Sequence, residues 1–166
     1  MKAQVSFEYY FSLVLFVMLA MYVVFQTISV TSVYRAEVRN RLIKAEAYQI
    51  SELLVNDLGE PINWDISSEV KRIGLSDESM NKTNLLSTAK IRSFNNSCST
   101  NYQLVASQLG ITEDYQFEVF VTDLTSNTLL ASCSPPTRIS RGKVAEVTRI
   151  AALDSGSYVR IIVMVW

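Results

Sequence analysis

The sequence predicts an α+β protein: one long N-terminal helix, apolar in its first half, packed on an antiparallel β-sheet head of about four strands. Two observations carry that prediction. The first glycine is Gly59 and the first proline is Pro61, so no strong helix breaker interrupts the chain before them. From Tyr115 to the end, short runs of alternating apolar and polar residues are separated by turn-forming residues, which is the pattern of half-buried strands.

The helix is expected from about Gln4 to Leu58, roughly 80 Å at 1.5 Å per residue. Between Tyr9 and Phe25 only Ser12 interrupts an apolar run, and no charged side chain occurs between Glu8 and Arg35. That interval is long enough to cross the ~30 Å hydrocarbon core of a bilayer. Beyond Arg35, Val38, Leu42, Ala45, Ile50, Leu53, Leu54 and Leu58 fall at helical spacings among Arg39, Arg41, Lys44, Glu46, Glu52 and Asp57. An amphipathic segment of this kind lies on a folded head. The join, Thr27 to Val33, is rich in β-branched residues and serine. It is expected to stay helical, because lipid or neighbouring helices offer its backbone no other hydrogen-bond partner. Gly59 supplies the left-handed position past the helix end and Pro61 prevents continuation.

In the head, Pro61 to Trp64 opens a loop, and Arg72 to Leu75 forms a short strand or turn. Ser87 to Phe94 predicts a short helix. A second is expected from a Ser99 cap to Leu109, with Gly110 as its stop. Tyr115 to Thr122 and Leu129 to Ser134 pair as a hairpin across the polar turn Leu124 to Asn127, and Pro135-Pro136 ends it. Lys143 to Leu153 and Ser157 to Trp166 repeat the pattern around Asp154-Ser155-Gly156. The last strand is apolar on both faces and is expected at the centre of the sheet. Arg160 is its exception, a charge reaching for water.

With 166 residues the chain fits one domain plus an N-terminal segment, and its net charge is −1. No basic cluster follows the Arg35 to Lys44 stretch, so the electrostatic footprint of a nucleic-acid binder is missing. Histidine is absent, which removes the commonest general base and metal ligand at neutral pH. No nucleophile, phosphate loop or metal cluster stands out. The expectation is a protein that is not an enzyme and uses no cofactor or metal.

Glu8 needs a physical reason, because a charge within a bilayer costs on the order of 2.5–3.5 kcal/mol on an insertion scale. A cut between Ala3 and Gln4 would give Gln4 a new α-ammonium one helical turn before Glu8, and the two opposite charges would share one helix face. The residues around this point, Gln4, Ser6 and Glu8 behind a leader ending Lys2-Ala3, follow the pattern Gln-x-Ser-x-Glu. In this the chain resembles the type IV pilin superfamily, most closely archaeal members with a class III signal peptide. It departs where many relatives have glycine at the Ala3 position and leucine at the Ser12 position. The stretches Pro61 to Trp64 and Arg72 to Leu75, with the terminal Trp166, also look like elements of archaeal pilin-type α+β heads.

The resemblance implies a three-part chain: leader 1–3, membrane and filament-core helix 4–34, and a head 35–166 that includes the amphipathic half of the helix. It implies cleavage by a prepilin peptidase on the cytoplasmic side and retention of the apolar helix. Glu8 would dock subunits into a growing filament. The implied partners are copies of the chain, the peptidase and the assembly platform, with the membrane before assembly and no nucleic acid. The implied location is a single-pass precursor in the cell membrane and then an extracellular filament, head outside. Arg35, Arg39, Arg41 and Lys44 by themselves favour a cytoplasmic head. Long domains nevertheless cross largely regardless of charge, and the external reading takes precedence. The alternative is a minor pilin or membrane-anchored protein displaying an adhesion or binding head.

In an exported chain, Cys98 and Cys133 are expected to form a disulfide; the alternative is two buried thiols. Asn81-Lys82-Thr83 and Asn95-Asn96-Ser97 are acceptor triplets for N-glycosylation, both in polar, loop-like segments.

Overall fold

The computed structural model of the chain describes residues 2–67, 69–78, 84–112, 114–138 and 143–166, apart from the side chains of 2–6 and 32–33. The chain divides into two units, Met1–Arg39 and Asn40–Trp166. Helix α1, Lys2–Asn56, begins in the first unit and ends in the second. It stays helical through Thr27 to Val33, as expected. There the hydroxyls of Thr27 and Thr31 donate to the carbonyls of Val23 and Thr27, at 2.8 and 2.7 Å.

The second unit is α+β. Its remaining elements are β1 (Leu85–Leu86), α2 (Thr88–Thr100), α3 (Tyr102–Gln108), β2 (Phe117–Asp123), β3 (Leu129–Cys133), β4 (Ala145–Leu153) and β5 (Tyr158–Val165). The strands form one five-stranded sheet in the order β1-β4-β5-β2-β3. This corrects the expectation of about four antiparallel strands. β2, β3, β4 and β5 pair antiparallel, but β1 adds a fifth strand parallel to β4. A two-residue strand has no periodicity to read. Leu85–Leu86 is placed by non-local bonds, with Ala152 N donating to Asn84 O and Asp154 N to Leu86 O.

β5 lies at the centre as expected, with β4 and β2 on either side. Its two faces differ, however. Val159, Ile161, Val163 and Val165 are fully buried, whereas Tyr158 and Arg160 are exposed and Ile162 and Met164 half-buried. The inner face, which carries Val119, Val121, Ile161 and Val163, shares a core with Ile43, Ala47, Ile50 and Leu54 of α1 and with Ile91 and Phe94 of α2. The outer face is set by the same registers: Glu118 and Glu146 flank Met164, and Phe120 and Thr148 flank Ile162.

Sequence spacing located the amphipathic half of α1 and two residues of the stripe it buries, Ile50 and Leu54, but not the rest of it. Val38, Leu42 and Ala45 are exposed, and Ile43, Ala47, Ile50, Ser51, Leu54 and Val55 turn inward. Arg149, on the inner-face side of β4, pairs with Glu52, donates to Ser51 Oγ at 3.3 Å and lies 4.7 Å from the centre of the Tyr48 ring. A charge entering this layer is thus accommodated by a carboxylate and an aromatic face.

α1 stops at Asn56, and Gly59 follows with φ of +82°. A side chain there would strike Trp64, because an added Cβ would lie 2.3 Å from the indole Cδ1. Gly74 permits a second close approach, since a Cβ on it would lie 2.1 Å from Asp57 O. Trp64 Nε1 donates to Gly74 O at 2.7 Å and ties the two strands of this loop together.

The helices of the head differ from their expected bounds. α2 runs on to Thr100 instead of stopping near Phe94, and it carries Cys98. The cap of α3 is Asn101, not Ser99: Asn101 Oδ1 accepts from Leu104 N at 3.1 Å. At the start of α2, Ser87 makes no side-chain cap bond. Asp154, from the β4–β5 turn, accepts from Thr88 N and from its hydroxyl instead. A carboxylate at a helix N-terminus satisfies free N–H groups and suits the helix dipole.

Tyr102 is 8% exposed, and its ring stacks on Phe117 at 4.8 Å. Its hydroxyl donates to Phe117 O at 3.0 Å and accepts from Phe117 N at 2.9 Å. The last β3 residue paired to β2 is Cys133, opposite Val119, so the phenol serves Phe117 where Pro135 cannot continue the strand. Tyr102→Phe orphans two buried backbone groups and is expected to destabilise the head by about 1–3 kcal/mol. Burial pushes the Tyr102 phenol up to about 12, its bond with Phe117 opposing the shift. Because the folded value is raised, this contribution is complete below pH ~10 and is lost as pH rises towards 12. Urea titrations at pH 8 and pH 11 check both statements. A Phe variant as stable as the parent, with the same alkaline loss, would contradict them.

Candidate functional site

The residues singled out by the sequence fall into two groups, one in each unit. In the first unit, Ala3, Gln4 and Ser6 belong to α1, and their side chains lie outside the described ones. Glu8 is described and exposed, and it makes no ion pair among the described residues. Behind it the apolar surface continues around the whole circumference of the helix. Phe11, Phe16, Met21 and Phe25 are each more than 60% exposed. α1 is a helix long and apolar enough to cross a membrane, and none of its most apolar stretch is buried. A helix that is apolar all round belongs in a membrane or inside a larger assembly. Ala20 breaks the profile of this surface, leaving a shallow, open depression among Phe16, Val17, Met21, Val24, Phe25 and Ile28.

In the second unit the structure joins Cys98 to Cys133 in a disulfide, with 5.4 Å between the Cα atoms. This bond links the last turn of α2 to the end of the edge strand β3. Asn95 lies one helical turn earlier. Its triplet stands inside α2 rather than in the loop expected for it, and Asn95 Oδ1 accepts from Ser132 N at 2.9 Å. The amide therefore serves an otherwise open sheet edge. Asn81, the other acceptor asparagine, lies outside the described residues.

Sequence reasoning missed three polar groups that hold the head together, Lys90, Tyr102 and Asp154. Lys90 is buried, and its Nζ donates to Leu58 O at 2.7 Å and Ser76 O at 3.0 Å. Desolvation pulls its pKa below the usual lysine range, against the opposing pull of Asp65 and other carboxylates. The signal was faint: Lys90 precedes Ile91 and lies four residues before Phe94, within the buried side of α2. Its acceptors are backbone atoms distant in sequence, which no residue type announces. Among the described residues no group of three or more His, Cys, Asp or Glu comes together as a metal site.

A long apolar N-terminal helix followed by a β-sheet head is compatible with a type IV pilin-like fold. Compared with known proteins, the chain matches no family model, no curated protein and no solved structure.

Proposed function

We propose that this chain is the structural subunit of an archaeal type IV pilus-like surface filament. A prepilin peptidase would cut it between Ala3 and Gln4 and it would assemble through its apolar N-terminal helix. The observation that carries the proposal is the bare apolar circumference of α1 behind Glu8. Such a surface must be kept from water at every stage, in lipid before assembly and among sister helices afterwards. Exchange of one apolar environment for another leaves the hydrophobic term nearly unchanged. The direction of assembly then rests on packing and charge. The shallow depression at Ala20 suits packing, since a small residue lets a neighbouring helix approach closely. Glu8 suits charge, since its carboxylate would meet the α-ammonium of Gln4 on its own chain or on a neighbour.

On this reading the precursor is a single-pass membrane protein and the mature head lies outside the cell. The disulfide fits that location, because such bonds persist in oxidising surroundings. The decisive measurement is the mature N-terminus of the membrane-extracted chain, by mass spectrometry of the intact protein. A chain beginning at Gln4 is the expected result. A chain beginning at Met1, or beyond Phe25, would end the proposal.

A further inference from the structure

The outer face of the sheet holds two charges that the fold itself does not use. Glu146 on β4 and Arg160 on β5 are both exposed, and neither makes an ion pair among the described residues. Around them the face is largely apolar, with Thr122 and Thr148 as neutral polar positions. Ile150 and Tyr158 are 64% and 60% exposed, Phe120, Ile162 and Met164 are half-buried, and Glu118 lies 3.7 Å from Arg138. At one corner Arg138 lies against the buried Glu118 and 4.8 Å from the ring of the buried Trp166, but Glu146, Ile150, Tyr158 and Arg160 remain exposed, whereas the opposite face is covered by α1 and α2.

From this arrangement we infer that the outer face is a self-complementary contact between the heads of two copies of the chain. The register fixes the geometry. Arg160 stands between Ile150 and Thr122, and Met164 stands between Glu146 and Glu118. The two rows are about 13 Å apart at 3.3 Å per residue. A two-fold axis running across the strands, through the row of Thr148, Ile162 and Phe120, exchanges those rows between two stacked sheets. Arg160 of each copy then sits over Met164 of the other, beside the unpaired Glu146. Ile162 and Phe120 meet their own counterparts at the centre. An isologous contact of this kind forms each charge pair twice.

The occupant is a second copy because the face carries both members of its own ion pair, spaced as that symmetry requires. Four strands about 4.8 Å apart and ~13 Å of strand make a patch of roughly 250 Å², well below the ~800 Å² per partner of a stable complex. Single heads therefore stay apart, and arrays of heads hold together by repetition. The inference rests on the proposed function for its setting. In that setting, arrays of heads on neighbouring filaments meet through this same face.

The test displays the full-length chain on phosphatidylcholine vesicles, heads outward and with no filament present, and follows vesicle clustering by light scattering. Wild-type vesicles are expected to cluster. Vesicles carrying only R160E, or only E146R, should cluster at least about tenfold less, because each reversal opposes two pairs of like charge. Mixing R160E vesicles with E146R vesicles restores both attractive pairs and should restore clustering. Wild-type vesicles that stay dispersed would overturn the inference. So would reversals that cluster like the parent, or a mixture that fails to recover. A mature chain that does not begin at Gln4 would remove the filament setting and leave this result standing.

Discussion

Removing the Cys98–Cys133 bond by substituting both residues with serine is expected to destabilise the head by about 3–4 kcal/mol. The bond closes a loop with a sequence separation of 35 residues, and most of its effect comes from the conformations it denies the unfolded chain. The loss should concentrate at one place in the fold. β3 is the outermost strand of its side of the sheet and pairs only with β2. Its other edge is held by α2, through the disulfide and through the bond from Ser132 N to Asn95 Oδ1. Without the covalent link, α2 and β3 can separate before the rest of the sheet opens. Urea unfolding of the full chain in detergent should therefore show a lower midpoint, with thermal unfolding falling on the order of 10 °C. Backbone amides of Leu129–Cys133 should lose exchange protection first. A double-serine variant within about 1 kcal/mol of the parent, the reproducibility of such extrapolations, would show that packing alone holds this edge.

How much of the head was legible depended on whether the deciding contact was local. β2, β3, β4 and β5 were legible because each is a continuous run of strand-forming residues bounded by turn signals, alternating in β2 and apolar on both faces in β5. β1 was not, because Leu85–Leu86 exists only where Asn84 and Leu86 meet the far end of β4. The amphipathic half of α1 was recognised with Ile50 and Leu54 of its inward stripe, but its first turns were set on the wrong row. Two apolar rows run along it at helical spacing, one through Leu42 and Ala45 and one through Ile43, Ala47 and Ile50, and only the second is buried. Spacing alone does not say which row meets the sheet.

The same distinction separates the candidate residues. The cysteine pair could be anticipated from its even count in a chain read as exported. The cap of α2 could not, since the residue at the expected position, Ser87, yields its role to Asp154, 66 residues from Thr88. Asn95 was noticed for its triplet, but the bond it makes to β3 is the reason the structure gives for an asparagine there. Glu8 is conspicuous in the sequence, because an acid next to an apolar run stands out whatever the fold, and the role given to it rests on the proposed function.

Glu8→Ala is expected to leave membrane insertion intact and to abolish filaments. Insertion should survive because the substitution removes a charge from the end of an apolar helix, and a charge there opposes insertion by as much as ~2.5–3.5 kcal/mol. On energetic grounds alone, then, the variant is the better membrane segment. Assembly should fail for the complementary reason: in the proposed filament an α-ammonium at Gln4 would enter the helix bundle unpaired once the carboxylate is gone, and an uncompensated buried charge costs several kcal/mol at every subunit added. The exposed apolar surface of residues such as Phe16 and Phe25 is unchanged, so the loss would not come from weaker helix contacts. Glu8→Gln separates charge from shape, because it keeps the length and hydrogen-bonding capacity of the side chain and should fail as alanine does. The measurement is the amount of sheared surface filament against the amount of processed chain in the membrane. Abundant normal filaments from either variant would remove Glu8 from assembly, whereas loss of the chain from the membrane would assign it to insertion instead.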